Sequence, residues 1–175
     1  MQKKFISTFY AFLAALLITT SVAAGGAIKL SSATFSLGSL IAKGTLSGLG
    51  KSGTYRVVLV ATGPADVTCV NNGTNTVLGQ SSPRISALGR QELSGDNGLL
   101  KNGKSEFQVE TDQPLPVAWD VAGCPNANWI GYVDFVYWDQ ATLSVIDTAT
   151  NAVLLEQGYA CTTTRYPPTV SCTPK

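Results

Sequence analysis

Short apolar segments with a period of two recur along this chain, and no segment keeps the 3.6-residue period of an amphipathic helix. Gly, Ser, Asn and Pro separate these segments, as is typical of turns between β-strands. The predicted strands cover residues 33–37, 41–49, 55–62, 67–70, 85–93, 105–111, 129–138, 141–147 and 153–159. Short strands at such regular spacing predict an all-β fold, an antiparallel β-sandwich of the immunoglobulin-like or jelly-roll-like kind.

The strand predicted over 55–62 is apolar on both of its faces. One face carries the odd-numbered residues from Tyr55 to Ala61, and the other carries Val58 and Val60 beside Arg56. A strand that is covered on both faces has a near-continuous apolar run of this kind. We therefore predict a central strand that lies between two covered faces.

Three Asn-Gly pairs, at 72–73, 97–98 and 102–103, indicate sharp reversals, because Asn and Gly tolerate the positive φ that tight hairpin turns require. The pair at 102–103 directly precedes the strand over 105–111 and predicts a hairpin there. Pro114 and Pro116 lie beyond the end of that strand, since proline cannot donate to a ladder. Residues 112–128 are then a long connection, which Cys124 ties down.

Residues 1–24 have the order of a secretory signal peptide, with Lys3 and Lys4, an apolar run from Phe9 to Ile18, and small residues up to Ala24. The alternative is an uncleaved membrane anchor, but a spanning helix needs roughly 17–25 apolar residues and this run is shorter. We expect a protein that is secreted to the extracellular space or cell surface and is not inserted in the membrane after cleavage.

Removal of the leader changes 12 basic and 11 acidic residues to 10 and 11, a net charge of −1. A charge this small gives no long-range attraction to nucleic acid, so nucleic acid is not an expected partner. The remaining length suits one domain. We predict a single β-sandwich domain over 25–160, followed by a C-terminal tail over 161–175 that a disulfide closes into a loop.

An even number of cysteines in an exported chain predicts two disulfides. Cys69, Cys124, Cys161 and Cys172 allow three pairings. The favoured one joins Cys161 to Cys172 around the Pro-rich tail and leaves Cys69 for Cys124. A zinc site is disfavoured, because no two cysteines have a two-to-four-residue spacing and the chain contains no histidine.

Two runs carry a resemblance to a known group of proteins: Thr-Cys-Val-Asn at 68–71 and Cys-Pro-Asn-Ala-Asn-Trp at 124–129. They are similar to the Thr-Cys-x-Asn and Cys-Pro-Asn-x-Asn-Trp pattern of a family of small secreted microbial proteins without established activity. The resemblance covers residues 40–146 and implies a secreted β domain with a Cys69–Cys124 bridge. The chain departs from the family at 71–73, where Asn-Asn-Gly replaces Asn-Pro-Gly-Gly, and in its tail.

The absence of histidine excludes most common catalytic arrangements, including Ser-His-Asp and Cys-His nucleophiles and histidine-ligated metals. We therefore expect no enzyme, no cofactor and no metal. Carboxylates alone can hydrolyse glycosides when two of them flank the sugar, which leaves a carboxylate-dependent hydrolase as an alternative. The candidate acids are Glu106, Glu110, Asp120, Asp134, Asp139 and Asp147. Glu106 and Glu110 share one strand face, where two solvated residues are the simpler interpretation.

The aromatic strand over 129–138 is the best candidate for a binding surface. Uninterrupted alternation puts Trp129, Gly131, Val133, Phe135 and Tyr137 on one face. It puts Ile130, Tyr132, Asp134, Val136 and Trp138 on the other. Aromatic rings beside a carboxylate are typical of surfaces that bind sugars, although core packing explains the same residues. The candidate ligand-binding residues are Trp129, Tyr132, Asp134, Tyr137 and Trp138.

These patterns together predict a secreted, non-enzymatic structural or interaction protein of the cell surface or extracellular matrix. The first alternative is a carbohydrate-binding module that uses the aromatic strand, and the second is the carboxylate-dependent hydrolase. The expected partners are a polysaccharide or another surface protein.

Overall fold

The computed structural model describes residues 27–37 and 39–175, so the predicted signal peptide lies outside the described residues. The described residues form eleven strands and one short helix. The strands are β1 (Lys29–Ser36), β2 (Ile41–Ser47), β3 (Tyr55–Asn71), β4 (Thr76–Leu78), β5 (Arg84–Leu93), β6 (Leu100–Lys101), β7 (Lys104–Glu110), β8 (Trp129–Val136), β9 (Gln140–Asp147), β10 (Val153–Thr164) and β11 (Thr169–Pro174), and the helix is α1 (Trp119–Ala122). None of the described helical residues forms a segment long and apolar enough to cross a bilayer.

Two antiparallel sheets confirm the predicted all-β sandwich. The smaller sheet has the strand order β1-β2-β7-β6. The larger sheet is built around β3, with β9, β10 and β11 on one side and β5 on the other. A core of aliphatic side chains from both sheets fills the space between them. Its fully buried members include Leu46, Val57, Leu59, Leu93, Leu143 and Val145.

Strand β3 covers two segments that the sequence pattern predicts as separate strands. Gly63 and Pro64 lie at the junction, but the strand continues through them because its partners change there. Pairing with β5 ends at Pro64, pairing with β8 begins at Ala65, and the Pro64 carbonyl accepts a hydrogen bond from the Tyr137 amide at 2.8 Å. A proline is tolerated here because its missing N–H falls where one ladder replaces another.

The prediction that both faces of the 55–62 strand are covered is wrong. The strand is central, because β5 and β9 pair with its two edges. Its inner face is buried, but Val60 on the outer face is 38% exposed, and no second layer covers that face among the described residues. Valine favours strands for its fit to a pleated surface whether or not a further layer is present, and this explains the apolar outer face.

The chain turns at all three predicted reversals, but the residues with positive φ are only partly the predicted ones. Asn102 and Gly103 have φ values of 51° and 74° and join β6 to β7, which confirms that hairpin. Gly98 also has a positive φ, of 73°. At the 72–73 reversal the positive φ falls on Thr74 instead, because the Asn71 side chain accepts hydrogen bonds from the amides of residues 73 and 75 and fixes the turn.

Both predicted disulfides are present. Cys69 on β3 is bonded to Cys124, two residues after α1, with 5.7 Å between their Cα atoms. Cys161 and Cys172 are bonded across directly paired positions of β10 and β11. The residues predicted as a clipped tail, 161–175, therefore form the end of β10, the turn after it and the edge strand β11.

Candidate binding surface

The second half of β3 belongs to a part of the molecule with its own small core. We call this part the stapled extension; it comprises residues 65–71 of β3 together with β4, α1 and β8. The small core consists of Val67, Cys69, Ala122 and Cys124, with Val117 and Trp129 packed against them. The Cys69–Cys124 bridge lies inside this cluster, so the disulfide forms part of the core that it closes.

A β-bulge at Asp134 changes which β8 side chains share a face. In the ladder with β3, Phe135 pairs with Asp66 and Val133 pairs with Val67, so Asp134 is an extra residue without a partner. An extra residue shifts the alternation of one strand by one position. Relative to the side chains before Asp134, those after it therefore lie on the opposite face from the one that uninterrupted alternation predicts.

Because of this shift, neither of the two predicted faces of the 129–138 strand exists as a whole. Ile130 and Tyr132 are 48% and 47% exposed, and Phe135 and Tyr137 join them on the outer side of β3. Trp138, predicted to share the face of Tyr132, is instead 2% exposed and lies in the core of the sandwich. Trp138 is therefore not on the exposed surface that carries Tyr132.

Trp129 also lies away from this surface. It is half-buried against the small core around Cys69 and Cys124, on the opposite side of β8 from Tyr132. Tyr132 and Asp134 are the two candidate residues that the structure places on one exposed surface. Tyr137 is half-buried there and contributes its hydroxyl group.

We call the outer side of the stapled extension the tyrosine face. It combines exposed apolar side chains with two carboxylates and an arginine from the turn between β10 and β11. Its residues are Asp66, Thr68, Leu78, Ile130, Tyr132, Asp134, Phe135, Tyr137, Arg165 and Tyr166. Leu78 is 80% exposed and Tyr166 is 84% exposed.

Hydrogen bonds hold both carboxylates of the tyrosine face in place. Asp66 Oδ2 accepts from Arg165 Nη1 at 2.6 Å and from the Tyr137 hydroxyl at 3.0 Å. Asp134 Oδ2 accepts from Thr68 Oγ1 at 2.6 Å. Asp66 and Thr68 are two residues apart and lie on the same face of β3. This strand therefore carries one acid, Asp66, and holds the other, Asp134, through Thr68.

Arg165 connects the C-terminal hairpin to the extension. Its guanidinium carbon is 5.6 Å from the centroid of the Phe135 ring and 5.7 Å from that of Tyr166, within the range of cation–π attraction. Phe135 in turn packs edge-to-face with Tyr137, with 4.9 Å between ring centroids. The side chains of Tyr137, Tyr166 and Asp66 raise the pKa of Arg165 above its usual value, so it stays cationic.

A shallow groove of about 240 Å³ crosses this face. Both acids and Arg165 line it, together with polar and apolar residues of β4 and the segment after it. The lining residues are Asp66, Val67, Leu78, Gly79, Ser81, Ser82, Asp134 and Arg165. The groove therefore has hydrogen-bonding groups along its length and an apolar side at Leu78.

The other acids considered for hydrolysis are dispersed. Asp139 forms an ion pair with Arg84 at 2.6 Å, and Asp147 caps the following turn through the amide of Ala149. Glu106 and Glu110 are exposed on β7, and Asp120 is exposed in α1. No group of three or more His, Cys, Asp or Glu residues is placed to hold a metal ion in the part of the chain that the structure describes.

Among the residues of this face that sequence reasoning missed are Asp66, Phe135, Arg165 and Tyr166. Asp66 lies two residues before the Thr-Cys run, and no local pattern marks its pairing with Arg165 across 99 positions. Phe135 was assigned to the wrong side because the bulge leaves no sequence signal. Arg165 and Tyr166 stand beside two prolines in a short cysteine-bounded loop, which indicated a turn without indicating its neighbour.

A comparison with protein-family models, with curated proteins and with solved structures finds no match for this chain. The resemblance stated from the runs at 68–71 and 124–129 therefore stays an expectation. A β-sandwich by itself implies no function, so the function has to be inferred from the chemistry of the surface.

Proposed function

We propose that this protein is an exported, non-enzymatic interaction protein of the cell surface or extracellular matrix, and that it binds its partner through the tyrosine face. One observation carries the proposal. Large apolar side chains, with Tyr132 at 47% and Tyr166 at 84% exposure, are gathered on one side of a stapled extension. A gathered apolar surface of this kind is typical of binding sites.

The composition of the tyrosine face supports a binding role. Tyrosine and arginine dominate the energetics of many binding surfaces, because each combines apolar area with a polar group. Tyr132 stands on a strand that pairs with β3, and Arg165 is held by Asp66 at 2.6 Å. Side chains that are already ordered lose little conformational entropy when a partner binds.

Export is supported by the cysteines and by the leader pattern. All four cysteines are in disulfides, which fits an extracellular location, since reducing compartments keep thiols free. Mass spectrometry of the native protein tests the proposal. We expect an N-terminus at Ala24 or Gly25 and no thiol that reacts with an alkylating reagent. An intact leader, or four reactive thiols, would contradict export.

A non-enzymatic role is supported by the residues available for catalysis. The chain has no histidine, and the two acids of the tyrosine face each have one oxygen already hydrogen-bonded to a neighbouring side chain. Asp66 also forms an ion pair with Arg165 through the same oxygen, at 2.6 Å.

The decisive experiment measures binding of the labelled mature protein to cell walls and extracellular matrix isolated from its own organism. We expect a variant with Tyr132→Ser and Tyr166→Ser to lose binding by at least about tenfold, because both exposed rings are removed. The matched control carries Val153→Ser and Leu154→Ser, which removes exposed apolar side chains from β10, outside the tyrosine face. Equal loss in both variants would contradict a specific role for the tyrosine face.

A further inference from the structure

We propose that the ligand of the tyrosine face is a neutral glycan chain. Tyr132 and Tyr166 stack on sugar rings, and the outward oxygens of Asp66 and Asp134 accept hydrogen bonds from sugar hydroxyls. This inference rests on the proposed binding role of the face and adds the chemical class of its partner. The grounds are the unused hydrogen-bonding capacity of the groove, the exposed rings beside it, its size and its charge.

Each of the two acids has one oxygen fixed and one oxygen open. Oδ2 of Asp66 and Oδ2 of Asp134 accept all the side-chain hydrogen bonds that these acids receive in the described part of the chain. Oδ1 of each remains available as an acceptor, and both acids line the same groove. An ionised carboxylate only accepts hydrogen bonds, so the matching ligand must present donors. Hydroxyl groups on adjacent carbons of a sugar are such donors.

The groove also offers donors. Arg165 uses one nitrogen for Asp66, and a guanidinium has five N–H groups in a fixed plane. Ser81 and Ser82 line the same groove with hydroxyl groups that can donate or accept. A ligand whose every polar group is both donor and acceptor, as a sugar hydroxyl is, fits this mixture.

The two tyrosines supply the apolar part of the recognition. An aromatic ring has a negative face, which attracts the positively polarised C–H groups on the flat side of a pyranose ring. Tyr132 is two residues from Asp134 on β8, and Tyr166 directly follows Arg165. Tyr132 pairs with Thr68, which donates to Asp134, and the Arg165 guanidinium carbon is 5.7 Å from the centroid of the Tyr166 ring. Each exposed ring therefore lies beside a polar group of the groove, so stacking and hydrogen bonding can engage the same sugar.

The size and charge of the groove narrow the chemical class of its ligand. The groove volume of about 240 Å³ lies below the roughly 300 Å³ at which pockets for drug-sized molecules begin, so it suits one ring of a longer chain. Two carboxylates and one guanidinium give the groove a net negative charge, which disfavours nucleic acid and acidic polysaccharides. A neutral polymer experiences no such repulsion.

A glycan also explains the acids better than a protein partner does. The centre of a protein interface is depleted in aspartate, because a carboxylate that is sealed from water without a partner loses its hydration. Asp66 and Asp134 lie in the groove itself, which Leu78 also lines. A hydrated ligand with many hydroxyl groups replaces the lost water with hydrogen bonds.

Retention of the disulfide-bonded mature protein on insoluble neutral polysaccharides tests this proposal. The probes are cellulose, chitin, xylan, mannan and β-1,3-glucan, followed by titration of the matching hexasaccharide monitored by the NMR signals of the tyrosines. We expect retention on at least one of them and shifts confined to the tyrosine face. Tyr132→Ala and Tyr166→Ala should each weaken binding by at least about tenfold.

Aspartate variants separate hydrogen bonding from stacking. Asp134→Asn keeps an oxygen that accepts from Thr68 and is expected to weaken binding by roughly three- to tenfold, the range for one hydrogen bond. Asp96→Asn is the matched control, because Asp96 is exposed in the loop after β5 and should leave binding unchanged. Signal dispersion in the NMR spectrum shows that each variant is folded.

The outcomes distinguish this inference from the proposed function. Failure of every neutral polysaccharide, while binding to the native matrix persists and depends on Tyr132 and Tyr166, overturns the glycan and leaves a protein partner for the same face. Preference for acidic polysaccharides overturns the neutral class. Glycan binding that is unchanged in Tyr132→Ala, Tyr166→Ala and Asp134→Asn overturns the site. Loss of matrix binding only in the Val153→Ser and Leu154→Ser control overturns the proposed function itself.

Discussion

The two halves of strand β3 bury the same kind of face by different means. Residues 55–62 face a broad core formed with the opposite sheet, in which Val57 and Leu59 are fully buried. Residues 67–71 face the small cluster around the Cys69–Cys124 bridge, to which α1 and Val117 contribute, yet Val67 is 3% exposed and Cys69 is fully buried. The inward side chains of the two halves are therefore equally buried, although the cluster around the second half is much smaller.

The disulfide accounts for the difference. A helix of four residues and a strand of three residues bury too little apolar area to hold the extension by packing alone. Small structural units without a sufficient core are commonly stabilised by a covalent cross-link. The bridge between Cys69 and Cys124 takes this role, and it closes a loop of 55 positions.

The same comparison explains why the candidate site lies on the extension. Leu78, Ile130, Tyr132, Trp119 and Val121 are all exposed there, on its two sides. A covalently held unit does not need these side chains for its own core. They are free to remain on the surface, where the proposed function has them contact the partner.

The largest expected effect is loss of the extension after removal of its bridge. We predict that Cys69→Ser with Cys124→Ser lowers the free energy of unfolding by about 4 kcal/mol, the chain-entropy value for a loop of this length. Chemical denaturation measures the total change. Hydrogen exchange measures its location, and the amides of β8 and of residues 65–71 should lose protection first. Equal loss of protection in Leu143 and Val145 would show that the two regions are one cooperative unit.

The next prediction compares a substitution in the core of the sandwich with one in the small core of the stapled extension. Leu59→Ala should cost about 3 kcal/mol, because it opens a cavity in a core that is closed on all sides. Val67→Ala removes less volume from a smaller cluster and should cost about 2 kcal/mol. Denaturation midpoints in urea, with an unchanged slope, give both values. A larger cost for Val67→Ala would mean that the small core, rather than its disulfide, holds the extension.

A substitution at the junction between the two halves of β3 should lower the free energy of unfolding by about 1–3 kcal/mol, which is typical of an overpacked site. A Cβ atom at Gly63 would overlap the carbonyl oxygen of Tyr137, so Gly63→Ala should push β8 away from β3. Gly89→Ala is the matched control, because its Cβ would overlap the Glu110 carbonyl within the sandwich. Both variants should lower the thermal midpoint, but only Gly63→Ala should move the NMR signals of Tyr132. Movement in both would contradict the separation of the two regions.

The sandwich could be predicted from the sequence because alternation and turn residues act locally. The segments 55–62 and 85–93 have period-two burial, and the Asn102-Gly103 hairpin follows from backbone preferences alone. The disulfides follow from the number of cysteines and from the predicted signal peptide. All of these signals involve residues close in sequence or a choice among three pairings.

The site could be predicted only in part, because its geometry depends on distant residues. The bulge at Asp134 arises from the register between β3 and β8, and it moved Trp138 into the core and Phe135 onto the surface. The contact between Arg165 and Asp66 depends on where the C-terminal hairpin lies. The sequence pattern places Tyr132 and Asp134 on one face, as the structure does. Tyr132 precedes the bulge and Asp134 forms it, so the alternation between them is undisturbed.

The smallest expected effect concerns the ion pair that joins the C-terminal hairpin to the extension. Arg165 and Asp66 have side chains that are 38% and 37% exposed, so solvent screens their attraction and Arg165→Gln should lower the free energy of unfolding only slightly. Arg84→Gln, which breaks the exposed pair with Asp139 in the sandwich, is the control and should cost a similar amount. The two variants should differ in the ring signals of Phe135 and Tyr137, which only Arg165→Gln moves, because the guanidinium lies over Phe135 and shares the Asp66 oxygen with Tyr137. A large loss of stability in Arg165→Gln, well beyond that of Arg84→Gln, would show that the pair holds the hairpin in place. A small cost with displaced rings would show that its role is to orient the tyrosine face, in keeping with an extension that is stabilised by its disulfide and leaves its surface for binding.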